Sequence, residues 1–176
     1  MTKKNKNFII TRPDEDSHDR EVCNSCGYIN YKNPKIIVGS VVFYADHIMM
    51  CRRSIEPSRG LWTLPAGYLE LGETLAEGAQ REAQEEACAT ITINSLLALY
   101  SLAHLSQVQI IYLATLLEDN YAPGPESIEV KLFSCDMLPW QKLAFPSVSW
   151  ALKHALIAKK QGLTVPFTSA PDLPLK

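Results

Sequence analysis

Three carboxylates lie close together in the stretch Arg-Glu-Ala-Gln-Glu-Glu-Ala, whose amphipathic pattern predicts a helix. Glu85 and Glu86 follow Glu82 by three and four residues, so their side chains are neighbours on a helix surface, where like charges destabilise the helix by about 0.2–0.5 kcal/mol per pair. Clustered carboxylate oxygens are also the ligands that Mg²⁺ prefers, together with waters and phosphate oxygens. The spacing therefore suggests metal binding as the chemistry that would offset the repulsion.

The helical rotation of about 100° per residue places two of these carboxylates on the inward face. Around a stripe of small residues centred on Ala79, Glu86 lies about 20° from the centre and Glu82 about 60° from it. Glu85 lies on a flank, and Arg81 points nearly the opposite way. A buried carboxylate is costly unless it is paired or binds a metal, and that face has no Lys or Arg at the required spacing. Periodicity alone leaves a cation site and a solvated acidic face as open alternatives.

The elements that position this helix follow from residue patterns. Thr74 and Glu77 form a capping-box pattern that predicts the start of the helix. A last helix is predicted from about Val148 to Gln161, with Ser147 as N-cap and Gly162 as its end. Runs rich in β-branched and apolar residues predict strands at 35–44, 48–53, 61–67, 91–94, 97–103, 108–117 and 128–133. Several strands with one helix in the middle and one at the end predict an α+β fold with a sheet packed between helices.

Composition narrows the class of protein. A net charge of −2 over 176 residues argues against a nucleic-acid binder, which needs a basic surface. We expect no signal peptide, since no apolar segment of about 7–15 residues follows the basic N-terminus, and no membrane span, since no apolar run approaches about 18 residues. Five cysteines, an odd number, predict a reducing, cytoplasmic environment rather than disulfides.

From Gly67 onward the sequence GYLELGETLAEGAQREAQEEACA resembles the Nudix hydrolases. That family carries Gly, five residues, Glu, seven residues, then Arg-Glu-aliphatic-x-Glu-Glu-x-Gly-aliphatic. The residues that match at the required spacing are Gly67, Glu73, Arg81, Glu82, Glu85 and Glu86. Cys88 stands where the family has Gly, which normally permits the left-handed turn that ends a helix, so the turn after the helix is the part of the motif that this departure affects.

The resemblance implies a fold, a reaction and roles for the matched residues. The Nudix fold is a mixed β-sheet packed between helices in an α/β/α sandwich, and its enzymes hydrolyse a diphosphate linked to another moiety. By resemblance, Glu82 and Glu86 are the main ligands of Mg²⁺ (or Mn²⁺), with help from Glu85 and from the backbone carbonyl of Ala66. Arg81 would hold these carboxylates. The resemblance makes Glu73 the ion-pair partner of that arginine, and Gly67 supports the motif.

The general base stays open among three carboxylates. Glu85 is one candidate, and Glu126 and Glu129 are the others, since a loop carboxylate serves in some relatives. We favour assistance from the loop, because Glu85 lies on the flank of the inward stripe.

The resemblance also bears on the substrate. Residues 23–152 look like a bacterial and plastid subgroup associated with ADP-ribose and FAD pyrophosphatase activity. NADH pyrophosphatases carry a Pro- and aromatic-rich array shortly after the motif, which is missing from TINSLLALYSLAHLSQVQ. We therefore predict hydrolysis of ADP-ribose or FAD, with release of AMP, ahead of NADH. The alternative is a non-catalytic Nudix-fold sensor of ADP-ribose-like nucleotides, but such regulators usually append a DNA-binding domain, for which this chain has no room.

Four residues are candidates for binding the rest of the substrate. Arg52 and Arg53 are adjacent in a predicted strand, so only one of them can face the site, where arginine suits bidentate contacts to phosphate. Trp62 and Tyr68 flank the motif and are candidates for stacking on adenine or flavin. Packing in the core or at the rim is the favoured alternative for both aromatics. Because relatives are often dimers, the resemblance also implies a homodimer.

Cys23 and Cys26 form a Cys-x-x-Cys pair in a polar arm spanning residues 1–34, ahead of the Nudix domain at 35–162 and a tail at 163–176. Relatives carry a four-cysteine zinc ribbon, whereas this chain has one such pair, and structural Zn²⁺ takes four ligands. His18 or a second chain would have to complete the site. We favour a knuckle that persists without zinc.

Overall fold

The computed structural model describes residues 7–170. By its internal contacts the chain divides into two units, Met1–Pro34 and Lys35–Lys176. None of the helices within the described residues is long and apolar enough to cross a membrane.

The first unit contains a small sheet that the sequence analysis did not predict. Three antiparallel strands form it in the order β1 (Phe8–Thr11), β2 (Arg20–Cys23) and β3 (Ile29–Asn30). The Cys-x-x-Cys turn joins the last two strands, and the Gly27 N–H donates to the Cys23 carbonyl at 2.9 Å. Hydrophobic periodicity is a weak guide to strands this short, so the segment was predicted only as a polar arm.

The second unit is built on a mixed sheet with the strand order β10-β5-β4-β9-β8. Its strands are β4 (Lys35–Tyr44), β5 (His47–Arg53), β6 (Trp62–Thr63), β7 (Ala66–Tyr68), β8 (Ile91–Leu102), β9 (Gln107–Leu116) and β10 (Ser127–Ser134). Strands β4 and β9 pair in parallel, while the other neighbours pair antiparallel. The short strand β6 pairs with β5, and β7 pairs with β4.

One helix packs on each face of this sheet. Helix α1 (Leu75–Ala87) covers one face and helix α2 (Pro146–Gln161) covers the other, each through its own hydrophobic cluster. The predicted α+β class, with a mixed sheet between helices, is thereby confirmed. The capping box at Thr74 and Glu77 is also present, with both reciprocal hydrogen bonds.

Three details differ from the sequence-based expectation. The two strands predicted at 91–94 and 97–103 form one strand, β8, whose two register shifts interrupt the hydrophobic alternation. Ser147 is not the N-cap of α2, because Pro146 already occupies the first helical position and Phe145 is the cap residue. Proline suits that position, since it lacks the N–H that would be unpaired there. The tail returns to the sheet at Phe167, which pairs in parallel with Ala98.

The end of α1 shows how the chain accommodates Cys88. This residue adopts the left-handed conformation with φ of 49°. Its N–H donates to the Gln84 carbonyl at 3.0 Å, which is the bond of an αL helix cap, and the Ala89 N–H donates to the Ala83 carbonyl at 3.2 Å. The turn therefore forms without glycine, at a conformational cost of about 1 kcal/mol.

Candidate functional site

Two glutamates of α1 are buried and the third is exposed. Glu82 is 7% and Glu86 6% accessible, whereas the side chain of Glu85 is 59% accessible. The alanines at 79, 83 and 87 are fully buried on the same face, so the helix lies close against the sheet. The burial of the three glutamates therefore agrees with the placement derived from periodicity, with Glu82 and Glu86 inward and Glu85 on the flank.

Arg81 connects this helix to the loop before it. Its Nε and one terminal nitrogen donate to both oxygens of Glu73, at 3.0 and 2.8 Å. The other terminal nitrogen donates to Glu82 at 2.7 Å and to Glu85 at 3.0 Å. A further hydrogen bond goes to the Tyr68 carbonyl at 2.9 Å. The structure thus corrects the expectation that no arginine of the helix pairs with the inward carboxylates, because the long side chain reaches back across the helix surface.

The ionisable groups around Arg81 have pKa values that are shifted in different directions. Its hydrogen bonds lower the pKa of Glu73 to about 2, with a smaller contribution from the Glu70 N–H. The pKa of Arg81 is raised in turn. Burial raises the pKa of Glu82 in spite of its ion pair with Arg81. Glu73 is therefore the firmly ionised partner of the arginine.

Glu86 is the most perturbed of the helix carboxylates. Its pKa is raised to about 8, mainly by burial and to a smaller extent by the negative charges of Glu82 and Glu126. Two groups act in the other direction: the Ala66 N–H, which donates to the Glu86 carboxylate at 3.2 Å, and the positive charge of Arg53.

Strand β7 forms the wall of the site opposite α1. A Cβ atom at Gly67 would overlap the Glu82 carboxylate, so a side chain at this position would displace that carboxylate. The neighbouring peptide of Ala66 lies against Glu86 through the hydrogen bond already described. The structure therefore brings together the first glycine of the motif and its two buried glutamates.

The two arginines at the end of β5 face opposite sides of the sheet. Met49 and Cys51 pack in the cluster beneath α1, so strand alternation places the Arg53 side chain on that face. Arg53 Nε donates to the Pro57 carbonyl at 2.8 Å, and its guanidinium carbon lies 5.2 Å from the centre of the Phe145 ring. Arg52 faces the other way, 3.6 Å from Glu129. Of the two arginines, Arg53 is the one on the carboxylate side.

The two loop carboxylates, Glu126 and Glu129, also lie in different surroundings. Glu126 is exposed and acts electrostatically on both Glu82 and Glu86. Glu129 pairs with Arg52 on the other face of the sheet. The structure therefore places Glu126, and not Glu129, among the groups that surround the buried carboxylates.

The two aromatic candidates lie in different environments. Trp62 is 7% accessible and packs edge-on against Phe133, with ring centres 4.8 Å apart. Tyr68 is exposed, with the Lys35 ammonium 4.7 Å from its ring centre. Because the Cβ position of Gly67 points at the carboxylates, alternation sends the Tyr68 side chain to the other side of β7. The placement of Trp62 favours the packing alternative, and that of Tyr68 does not put its ring over the carboxylates.

The carboxylate cluster fits a hard cation in its chemistry. Glu82 and Glu86 are buried carboxylates, and Glu86 has one hydrogen bond, the long one from Ala66, so oxygen lone pairs remain for a metal. Across residues 7–170, no three His, Cys, Asp or Glu side chains are already gathered as a ligand group, and Arg81 holds oxygens of Glu82 and Glu85. The residues that would hold Mg²⁺ are those two glutamates of the inward face, with Glu85 at the rim.

The Cys-x-x-Cys turn supplies only two thiols. Cys23 is half-buried and Cys26 exposed, both as free cysteines. Hydrogen bonds from the N–H groups of Ser25 and Cys26 lower the pKa of the Cys23 thiol. His18 is hydrogen-bonded to the Ser17 hydroxyl at 2.8 Å and does not form a three-ligand group with the thiols in the described part of the chain.

The comparisons with known proteins agree with this arrangement. A family model described as the NUDIX domain matches residues 34–153, more than half of the chain, and the chain therefore belongs to the Nudix hydrolases. A solved Nudix hydrolase structure from Nitrosomonas europaea is 41% identical, covers 92% of each chain and has a TM-score of 0.87. The predicted family and fold are thereby confirmed, and the chain is a Nudix pyrophosphohydrolase.

Two curated relatives indicate the range of substrates within the class. The ADP-ribose pyrophosphatase of Methanocaldococcus jannaschii is 29% identical over 122 residues, which are 67% of this chain and 71% of the relative. The NAD-capped RNA hydrolase NudC of Haemophilus influenzae is 39% identical over 70 residues, only 36% of this chain and 25% of that protein. Enzymes of this family act on small nucleotide substrates with a divalent metal ion.

Two groups at the site were missed by the sequence analysis. Phe145 lies under the guanidinium of Arg53, and Ser54 hydrogen-bonds to the loop that carries Glu126. Neither residue has a motif around it that would mark it. The sequence feature that could mark Ser54 is its position directly after the Arg-Arg pair. This feature is informative only when the face to which Arg53 points is known.

Proposed function

We propose that this enzyme is a Mg²⁺-dependent hydrolase that cleaves the diphosphate of ADP-ribose or FAD and releases AMP. The observation that supports it best is the buried pair Glu82 and Glu86, with Glu82 held by Arg81, Glu86 held by the Ala66 N–H, and Arg53 on the same side of the sheet. Two buried carboxylates without a full set of donors suit the binding of a cation together with an anionic diphosphate.

Each residue has a defined task in this proposal. A bound Mg²⁺ supplies charge neutralisation of the diphosphate and lowers the pKa of water. Arg53 binds non-bridging phosphate oxygens, for which its free terminal nitrogens are suited. Glu126 accepts the proton of the attacking water, whose oxygen bonds to phosphorus as the bond to the bridging oxygen breaks. The bridging oxygen leaves as part of the second phosphate monoester.

The choice of ADP-ribose or FAD rests on the sequence resemblance and on one relative. The Methanocaldococcus jannaschii protein that aligns with two thirds of this chain is named an ADP-ribose pyrophosphatase. The likeness to the NAD-capped RNA hydrolase is confined to about a third of the chain. NADH therefore ranks below ADP-ribose and FAD.

The test is to measure kcat/KM side by side for ADP-ribose, FAD and NADH with Mg²⁺, and to identify AMP among the products. We expect the highest value for ADP-ribose or FAD, and no AMP when EDTA removes the metal. A higher kcat/KM for NADH would overturn the substrate assignment. Tight binding of ADP-ribose without release of AMP would favour the sensor alternative instead.

The homodimer and the cytoplasmic location remain parts of the same proposal. Sedimentation of the purified full chain tests the first, since a dimer has about twice the mass of 19.7 kDa. Metal analysis of the same sample tests the Cys-x-x-Cys turn, where we expect no stoichiometric zinc.

A further inference from the structure

The loop that carries Glu126 is fixed to the end of helix α1. The Ala122 N–H donates to the Ala87 carbonyl at 2.9 Å, and the Gly124 N–H donates to the Glu86 carbonyl at 3.1 Å. A Cβ atom at Gly124 would overlap the Glu85 carbonyl oxygen. The loop therefore satisfies carbonyls that a helix end normally leaves unpaired. Its position is tied to that of the helix that carries the buried carboxylates.

The same loop is fixed on its other side by the end of β5, where Ser127 pairs with Arg53 and Ser54 binds the turn itself. The Ser54 N–H donates to the Glu126 carbonyl at 2.9 Å, and the Ser54 hydroxyl donates to the Pro125 carbonyl at 3.0 Å. The Ser127 N–H closes the turn onto the Gly124 carbonyl at 3.0 Å. Ser54 follows directly on Arg53, so the end of β5 presents the arginine to the site and holds the loop with the next residue.

Glu126 is thus held between two supports, one on α1 and one on β5. Its side chain is exposed, so packing does not fix the carboxylate, and the backbone hydrogen bonds set the position from which the side chain extends. A displacement of about 1 Å in a catalytic group can cost about 10²-fold in rate. The position of the loop backbone is therefore a quantity on which turnover depends.

We propose that Ser54 is a positioning residue, whose hydroxyl holds the 124–126 turn so that Glu126 stands over Glu82 and Glu86. This inference rests on the proposed function, in which Glu126 accepts the proton from water. Ser54 itself does not reach the substrate and acts through the loop. Its hydroxyl should therefore affect kcat with little effect on KM.

The test is a double-mutant cycle. We expect Ser54→Ala to lower kcat by about threefold to tenfold, which corresponds to one hydrogen bond of ordinary net strength. Glu126→Gln should lower kcat by about 10²-fold or more, the usual contribution of a general base. Because Ser54 acts through Glu126, Ser54→Ala in the Glu126→Gln background should change kcat by less than about twofold.

Two matched controls accompany the cycle. Ser54→Thr keeps the hydroxyl and should retain kcat within about twofold. Thr115→Ala removes another exposed side-chain hydrogen bond, the one from Thr115 to Asn94 at 3.1 Å, and should leave kcat unchanged. Amide hydrogen exchange gives a readout besides activity: Ser54→Ala should accelerate exchange at the Gly124 and Ser127 amides, and Thr115→Ala should not.

The possible outcomes separate the two proposals. A wild-type kcat in Ser54→Ala overturns the positioning role. The role is also overturned if Ser54→Ala lowers kcat by the same factor in the wild type and in the Glu126→Gln variant. If the wild-type chain hydrolyses no diphosphate, the proposed function fails. The exchange rates then decide on the Ser54 support: accelerated exchange upholds it, and unchanged protection overturns it.

Discussion

The two faces of the sheet bury very different groups. Beneath α2 the cluster contains large apolar side chains, such as Leu97, Ile111 and Leu152, together with alanines of the helix. Beneath α1 the helix contributes alanines, and Glu82 and Glu86 are buried beside them. Apolar burial stabilises the fold by about 25 cal/mol per Å², whereas buried charge costs free energy. The α2 face therefore stabilises the fold, and part of that stability offsets the cost of burying carboxylates on the α1 face.

Each face also buries ionisable groups, and the difference lies in their partners. His154 beneath α2 is hydrogen-bonded to the Tyr100 hydroxyl at 2.7 Å and stacks on Phe167, with ring centres 3.9 Å apart. Glu86 beneath α1 has a single hydrogen bond, from the Ala66 N–H. A satisfied polar group fits a structural role, whereas a carboxylate with few donors fits the ligand-binding role that we propose for it.

The largest effect that would sharpen this comparison is on activity. We expect Glu86→Gln to lower Mg²⁺-dependent kcat by about 10³-fold or more, because the proposed function makes this carboxylate a charged metal ligand. Circular dichroism should show an unchanged fold. Glu118→Gln, an exposed carboxylate in the loop, is the matched control and should retain activity. Near-normal turnover in Glu86→Gln would contradict the assignment.

The α2 face should respond in the opposite manner. Leu152→Ala removes a fully buried side chain and should lower the free energy of unfolding by about 2–5 kcal/mol. Urea denaturation measures this loss. The kcat/KM per folded molecule should stay within about twofold, and a large loss of kcat/KM with unchanged stability would break the division between the faces.

Glu86→Gln should also stabilise the metal-free protein. The pKa of Glu86 is raised from 4.5 to about 8 in the folded state, so its contribution to stability is present below pH 4.5 and is lost as the pH rises towards 8. Glutamine does not ionise, and the variant should exceed the wild type in Tm by about 5 °C at pH 8.5. Thermal scans with EDTA check this, and equal Tm values at all pH values would contradict the cost assigned to the α1 face.

A smaller gain is expected at the end of α1. Cys88→Gly places the residue that best tolerates a left-handed conformation at φ of 49°, and should raise the free energy of unfolding by about 0.5–1 kcal/mol. Chemical denaturation is the measurement. A loss of stability would show that the Cys88 side chain makes a contribution larger than the conformational cost.

The smallest effect concerns pH and the α2 face. Burial lowers the pKa of His154 from its usual 6.5, so the folded state holds a neutral ring, and the resulting stability is present above pH 6.5 and lost as the pH falls below it. The Tm of the wild type should therefore decline from pH 7 to 5. In His154→Asn this part of the slope should disappear even though the variant is less stable overall. An unchanged slope would assign the decline to other groups.

The sequence could predict the inward glutamates because the helical period fixes the direction of each Cα–Cβ bond. Periodicity alone could not predict that Arg81 pairs with Glu82 and Glu85, since a long side chain can leave that direction, and only the family resemblance implied this pairing. The choice between Glu126 and Glu129 also lay beyond periodicity. It depends on a register shift between Ser127 and Glu129 in the pairing of β10 with β5, which local patterns do not encode.

The loop attachments have a consequence for engineering. The hydrogen bonds that fix the loop to α1 and β5 begin at Ala122, whereas residues 118–120 are exposed and precede them. Lengthening a surface loop costs little, about 0.6 kcal/mol per doubling, where its backbone is not anchored. A peptide tag or fluorescent reporter inserted at 118–120 should therefore leave the protein folded and active. The same insertion at 123–126 should displace Glu126 and abolish the hydrolase activity.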